Sequence, residues 1–250
     1  MSTRFSAQKK ARKLGSKMKK LYIIHGWSFR NIQPWVQVKE KLAEKGIDAE
    51  LLCVPGFDLT KEDRTVYDIN DYVAFVYKNI PKGSIALGHS NGGRILLNLM
   101  SRDSEHLKGC ILLSAAGIYE PSRKRDLLRK LSKILAPFKK IGILRKGIHK
   151  IIGASDYNQA PDNMKQTLTN MLDSDKELDI TGIKTPVRII WGEDDTTTPL
   201  RQGQKIHESI KGSTLRVVPN WKHAPYLDHA GELSEIIAEE YKKLTQKKHD

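Results

Sequence analysis

Ser84-Ile85-Ala86-Leu87-Gly88-His89-Ser90-Asn91-Gly92-Gly93-Arg94 is the stretch on which the reading of this chain turns. Ile85, Ala86 and Leu87 form a short apolar run of the kind found in a strand buried on both faces. Further on, Ile95, Leu96, Leu97, Leu99 and Met100 supply the apolar face of a helix. Between the two lies Gly88-His89-Ser90-Asn91-Gly92, a G-x-S-x-G pattern in the strand–turn–helix context that holds a serine at the tip of a sharp turn. Gly88 and Gly92 omit side chains where strand and helix pass close together. The N–H of Asn91, at the opening of the helix, is then available to bind an oxyanion.

The same alternation extends in both directions. Leu21-Tyr22-Ile23-Ile24 reads as a central strand that stops at His25-Gly26-Trp27. Trp35 to Lys45 has helical spacing, with Gly46 as its C-cap. Ala49 to Val54 reads as a strand, Val66 to Tyr77 as a helix, and Gly109 to Ser114 as another strand. Strands alternating with helices imply a parallel sheet covered on both faces, so the expected fold class is α/β, with about six strands. The pattern breaks between Ala116 and Ile180, where the chain turns helical and basic. Leu127, Leu128, Leu131, Ile134, Leu135 and Phe138 make an apolar stripe there, opposed by Arg123, Lys124, Arg125, Arg129, Lys130 and Lys133. Asp162 to Leu172 reads as one more helix. Val187 to Trp191 and Thr214 to Val218 return to strand, and Glu232 to Leu244 closes the chain as a helix. The expected organisation is a basic, disordered tail over 1–19, a core formed by 20–116 and 181–250, and a helical lid inserted at 117–180.

Lys and Arg number 43 against 29 Asp and Glu, a formal net charge of +14. That excess favours anionic surfaces and ligands without specifying a fold. Arg123–Phe138 has the pattern of a basic amphipathic helix, so weak contact with an anionic membrane surface through the lid is one expectation. No recognised nucleic-acid motif accompanies the charge, and no specific nucleic acid is expected. Cys53 and Cys110 sit in apolar, strand-like stretches and read as reduced buried thiols, which fits a cytoplasmic location. No Cys/His cluster has metal-ligand spacing, so no metal site is expected. The sequence leaves the oligomeric state open.

A serine at such a turn needs a base, and the base needs an acid to orient it. Gly192-Glu193-Asp194-Asp195 stands just past the strand ending at Trp191, and His223 follows the strand Thr214–Val218. The order Ser90, acid, His223 is the order of one hydrolase architecture. The chain resembles the lid-bearing branch of the α/β-hydrolase fold superfamily over roughly residues 20–245. Trp191-Gly192-Glu193-Asp194-Asp195 with Pro199 looks like that family's acid loop, His223-Ala224-Pro225 with Leu227 like its histidine loop, and His25-Gly26-Trp27 like its HGx loop. The resemblance implies Asp195 as the acid, with Asp194 the alternative, and the backbone N–H of Trp27 as an oxyanion donor paired with Asn91. Members usually carry an antiparallel strand pair before the HGx strand, for which this sequence has no room. The implied chemistry is hydrolysis of a small-molecule carboxylic ester through an acyl-enzyme on Ser90. Such acyl transfer needs no cofactor, and none is expected. A carbon–carbon bond hydrolase, a thioesterase and a non-catalytic binding protein are the alternatives. Ser28, Leu131 and Leu135 are candidate substrate-binding residues, while His25, His89 and His229 read as structural.

Overall fold

A computed structural model describes residues 19–28, 33–58, 60, 62–119 and 160–246. Leu131, Leu135 and the basic Arg123–Phe138 pattern lie outside the described residues, as does the basic tail up to residue 18. Along the described chain run β1 (Lys19–Ile24), a 3-10 turn (Gln33–Trp35), α1 (Val36–Glu44), β2 (Ile47–Leu52), α2 (Ile69–Asn79), β3 (Ser84–His89), α3 (Asn91–Arg102) and β4 (Leu107–Leu113). After 120–159 come α4 (Asp162–Ser174), β5 (Val187–Gly192), α5 (Leu200–Ser209), β6 (Thr214–Val218), α6 (Pro225–Asp228) and α7 (Ala230–Thr245).

The strands form a six-stranded sheet in the order β2-β1-β3-β4-β5-β6. Every adjacent pair is parallel, with Ile24 beside Gly88 and Gly88 beside Leu112 across the centre. The strand order reverses between β1 and β3. In a sheet of this kind the loops leaving those two strands diverge to opposite faces and open a crevice at their C-terminal ends, which is where ligands bind. One face of the sheet carries Val38 and Leu42 of α1 against Leu233, Ile236, Ile237 and Tyr241 of α7. The other carries Tyr72, Val73 and Val76 of α2, Ile95, Leu96 and Leu99 of α3, Met164, Leu168 and Met171 of α4, and Ile206 of α5. Both faces are covered, which is why β3, β4 and β5 are apolar runs and not alternating ones.

Some boundaries differ from the sequence reading, for local reasons. The helix expected from Val66 begins at Ile69, because Asp68 accepts hydrogen bonds from the N–H groups of Asn70 and Asp71 while Asp71 returns the contact to the Asp68 N–H. That reciprocal cap fixes the first turn and leaves Val66 exposed. The strand expected at 49–54 runs two residues earlier, over 47–52. Helix α5 had no sequence signal. Its buried positions are only Gly203 and Ile206. Gly203 lies flat on the Trp191 indole, where a Cβ would stand 2.6 Å from Cε3, so a glycine does the packing that an apolar stripe usually reveals. Cys110 is buried as expected, but Cys53 is only half-buried.

Helix α3 crosses the sheet with almost no space to spare. A Cβ on Gly92 would overlap the carbonyl oxygen of Ile24, and one on Gly88 would come within 2.6 Å of the Gly92 oxygen. Gly92→Ala is therefore expected to lower stability by about 1–3 kcal/mol, as overpacked sites do. Gly182→Ala, at a glycine with nothing within 4 Å of its would-be Cβ, is expected to leave the denaturation midpoint nearly unchanged. Urea titrations of the two variants check this, and equal midpoints would contradict it.

Candidate active site

Ser90 follows β3 directly and has φ 50° and ψ −114°. A non-glycine residue in that region carries about 1–3 kcal/mol of strain, tolerated only where the surroundings over-determine it. Here they do. The Ser90 N–H donates to Leu113 O at 3.1 Å, and the Ser90 carbonyl accepts from Arg94 N–H at 3.1 Å and Ala116 N–H at 2.9 Å. Strand β4 and the first turn of α3 thus grip the serine from both sides. Its neighbour Asn91 is the first helical residue, and the N–H groups of a helix's first turn have no partner within the helix.

His223 lies in the loop between β6 and α6. Its Nε2 is 3.0 Å from Ser90 Oγ, and its Nδ1 is 2.8 Å from Asp195 Oδ2. The carboxylate can only accept, so it fixes the proton on Nδ1 and leaves Nε2 to accept from the serine hydroxyl. Asp195 is buried, whereas Asp194 is exposed and gives its N–H to Trp221 O at 3.0 Å. The structure thus brings Asp195, and not Asp194, to the imidazole.

Asp195 is itself held. Its Oδ1 accepts from the N–H groups of Thr197 at 2.8 Å and Thr198 at 2.9 Å, and its Oδ2 lies 2.9 Å from Thr198 Oγ1. Thr198 Oγ1 also sits 3.1 Å from Ser114 O and 3.1 Å from His223 Nδ1. Burial pushes the Asp195 carboxyl up. The hydrogen bond and charge of His223, with the Thr198 donors, outweigh it and hold the group below the ordinary carboxylate range. Sequence reasoning missed Thr198. The signal was there in Asp195-Thr196-Thr197-Thr198, since an Asp commonly takes N–H groups two and three residues on.

The loop after β1 closes the crevice from the other side. A Cβ on Gly26 would lie 3.0 Å from Ser90 Cβ, so this backbone runs against the serine. Trp27 follows it, buried, with its ring edge-on to Phe57 at 4.9 Å. Ser28 is half-buried at the end of the described loop. His25 Nδ1 donates to Gly26 O at 2.7 Å while its Nε2 accepts from Val54 N–H at 3.4 Å, tying β1's loop to the end of β2. His89 Nε2 donates to the His223 carbonyl at 2.9 Å and so holds the histidine loop. Both rings act as wall and strut. His229 stacks on Trp221 at 5.9 Å, away from the serine's immediate partners. Among the described residues no group of three or more His, Cys, Asp or Glu could hold a metal ion, and no helix is long and apolar enough to cross a membrane.

Residues 21–236 match the model of the alpha/beta hydrolase family. The chain belongs to that family and is a hydrolase. It is 26% identical, over 89% of its length and 93% of the other's, to a pimeloyl-[acyl-carrier protein] methyl ester esterase of Neisseria meningitidis serogroup C. A protein of the same description from Pseudoalteromonas atlantica is 22% identical over 83% of this chain and 88% of its own. Among solved structures, a thermophilic esterase from Thermogutta terrifontis superposes with a TM-score of 0.68 at 15% identity, covering 91% of each chain, which is a likeness of fold.

Burial drives the imidazoles of His25 to about 4 and His89 to about 3, from an ordinary value of 6.5. The unfolded chain therefore takes up protons below pH 6.5 that the folded one refuses. These groups favour the fold above that pH, and the benefit is lost as pH falls toward 4 and then 3. Each histidine is expected to cost about 2 kcal/mol of stability between pH 7 and pH 5. Denaturant melts at the two pH values check it: His89→Gln should flatten the dependence, and an unchanged slope would contradict this account.

Proposed function

We propose that this member of the alpha/beta hydrolase family is a serine esterase with Ser90 as nucleophile, His223 as general base and Asp195 as the acid that orients it. The observation that carries the reading is the unbroken line from Ser90 Oγ through His223 Nε2 and Nδ1 to Asp195 Oδ2, at 3.0 and 2.8 Å. His223 takes the hydroxyl proton as Oγ attacks the ester carbon. The charge that forms on the carbonyl oxygen falls to the backbone N–H groups of Asn91 and Trp27. Asp195 stabilises the imidazolium without itself being protonated. His223 then protonates the leaving alcohol, and a water activated by the same base releases the acid from Ser90. Removing one donor of such a pair costs on the order of 10²–10³ in rate, which makes the loop after β1 as much a part of the site as the triad.

For the substrate we take the curated relatives as guide: a methyl ester at the free end of an acyl chain whose other end is borne on an acyl-carrier protein. The relatives' likeness over 89% and 83% of this chain supports this. The excess of positive charge favours encounter with a partner of negative charge. In this reading methanol leaves and the carrier stays outside the crevice.

Ser90→Ala is expected to lower kcat on a methyl ester by on the order of 10⁶, and Asp195→Asn by on the order of 10⁴ through loss of the productive tautomer. Steady-state kinetics with mono-methyl dicarboxylates, free and as pantetheine thioesters, check both. Release of methanol with the thioester intact supports the methyl ester. Release of thiol instead indicates a thioesterase, and retention of ester hydrolysis by the Ser90→Ala protein contradicts the mechanism.

A further inference from the structure

Arg94 is charged, lies three residues after Asn91 on the opening turn of α3, and is 3% exposed. Each nitrogen of its guanidinium donates a hydrogen bond. Nε and Nη2 grip the two oxygens of Asp175 at 2.7 and 2.9 Å, and Nη1 donates to Asn91 Oδ1 at 2.6 Å. Asp175 caps the C-terminus of α4, the last helix before β5, and is also buried. A buried ion pair is weak as a source of stability, because desolvating two charges offsets most of their attraction. Its geometry is another matter. Two parallel bonds to one carboxylate fix the guanidinium plane, and so fix where the third bond points.

That third bond settles the state of the Asn91 side chain. Arginine can only donate, so the atom facing it must be the amide oxygen, and the NH2 is turned to the remaining side. This Nδ2 is buried and has no hydrogen-bond partner among the described residues. A buried amide left with two unspent N–H groups costs about 1–3 kcal/mol. The cost is met at the residue next to Ser90, whose own backbone N–H faces the oxyanion in the reading above.

We infer that Arg94, anchored by Asp175, is a positioning residue that orients Asn91 so that this one residue offers the bound ester both its backbone N–H and its amide NH2. The acceptor that completes the amide is an oxygen of the substrate at or beside the attacked carbonyl. The inference rests on the esterase reading of Ser90. It also makes the junction of α4 with the strand that follows a determinant of rate, although no atom of Asp175 need touch substrate.

Three variants test it: Asn91→Ala, which keeps the backbone N–H and deletes the amide, Arg94→Met, and the two combined. Each single change is expected to lower kcat/KM on a methyl ester by on the order of 10²-fold, the lower end of the cost of one donor lost from such a site. The double variant should be no slower than the slower single, because both remove the same contact. The inhibition constant of an alkyl trifluoromethyl ketone, which forms a tetrahedral adduct with an active-site serine, should rise by the same factor in all three. Thermal melting separates this from a structural role. A fall in Tm with kcat/KM and ketone affinity at wild-type levels would overturn the inference, as would Asn91→Ala at full rate or losses that multiply in the double variant. If Arg94→Met does not fold, Asp175→Asn replaces it with the same expectations. Failure of the esterase reading is seen separately, as hydrolysis that survives in Ser90→Ala.

Discussion

A short piece of helix passing over the end of a strand without a side chain between them sets everything else in place. At Gly92 the backbone of α3 rests on the carbonyl of Ile24, and at Gly88 strand β3 rests on Gly92 in turn. With no Cβ at either point, α3 can begin immediately after β3. The residue between them is forced into the strained conformation of Ser90. Because β1 and β3 are neighbours at the point where strand order reverses, the same contact brings the loop carrying Gly26 and Trp27 against the serine. A serine held at a strained turn, with the loop after β1 packed against it, is thus a consequence of packing at two glycines.

The polar groups around this crossing are buried and mutually dependent. Asp195 is held by the N–H groups of Thr197 and Thr198. His223 is held by Asp195 on one side and, through its carbonyl, by His89 on the other. His89 stays neutral because it is fully enclosed, and the His223 carbonyl, which can only accept, fixes its one proton on Nε2. Arg94, Asp175 and Asn91 form a second such chain, which starts at the residue next to the serine. In a low-dielectric setting, polar chains of this kind fix orientation at the expense of stability. The depressed imidazoles are the form that expense takes here.

Much of this was legible beforehand, for physical reasons that differ by residue. The strands β3, β4 and β5 are continuous apolar runs because both faces of the sheet are covered, and such runs stand out. Ser90 was legible because a strained turn demands glycines at fixed spacing. The meeting of His223 and Asp195 with Ser90 was legible because an activated serine calls for a base and an acid past the ends of later strands, and it is Asp195 rather than Asp194 that lies against the imidazole. Thr198 was missed although Asp195-Thr196-Thr197-Thr198 carries the local pattern of an Asp that takes the N–H groups two and three residues on. Helix α5 escaped because Gly203 packs on Trp191 by lacking a side chain. The partnership of Arg94 with Asp175 spans 81 residues of sequence, and no local pattern reports a contact of that separation. Leu131 and Leu135 belong to an apolar stripe that lies outside the described residues.

The account stands or falls on Ser90 being the atom that takes the acyl group. Treating the full chain with a fluorophosphonate and mapping the modified peptide by mass spectrometry tests this directly. The expected result is one label per chain, on Ser90, with ester hydrolysis falling in step with its incorporation. Hydrolysis that continues in fully labelled protein, or a label that maps to another residue, would contradict it.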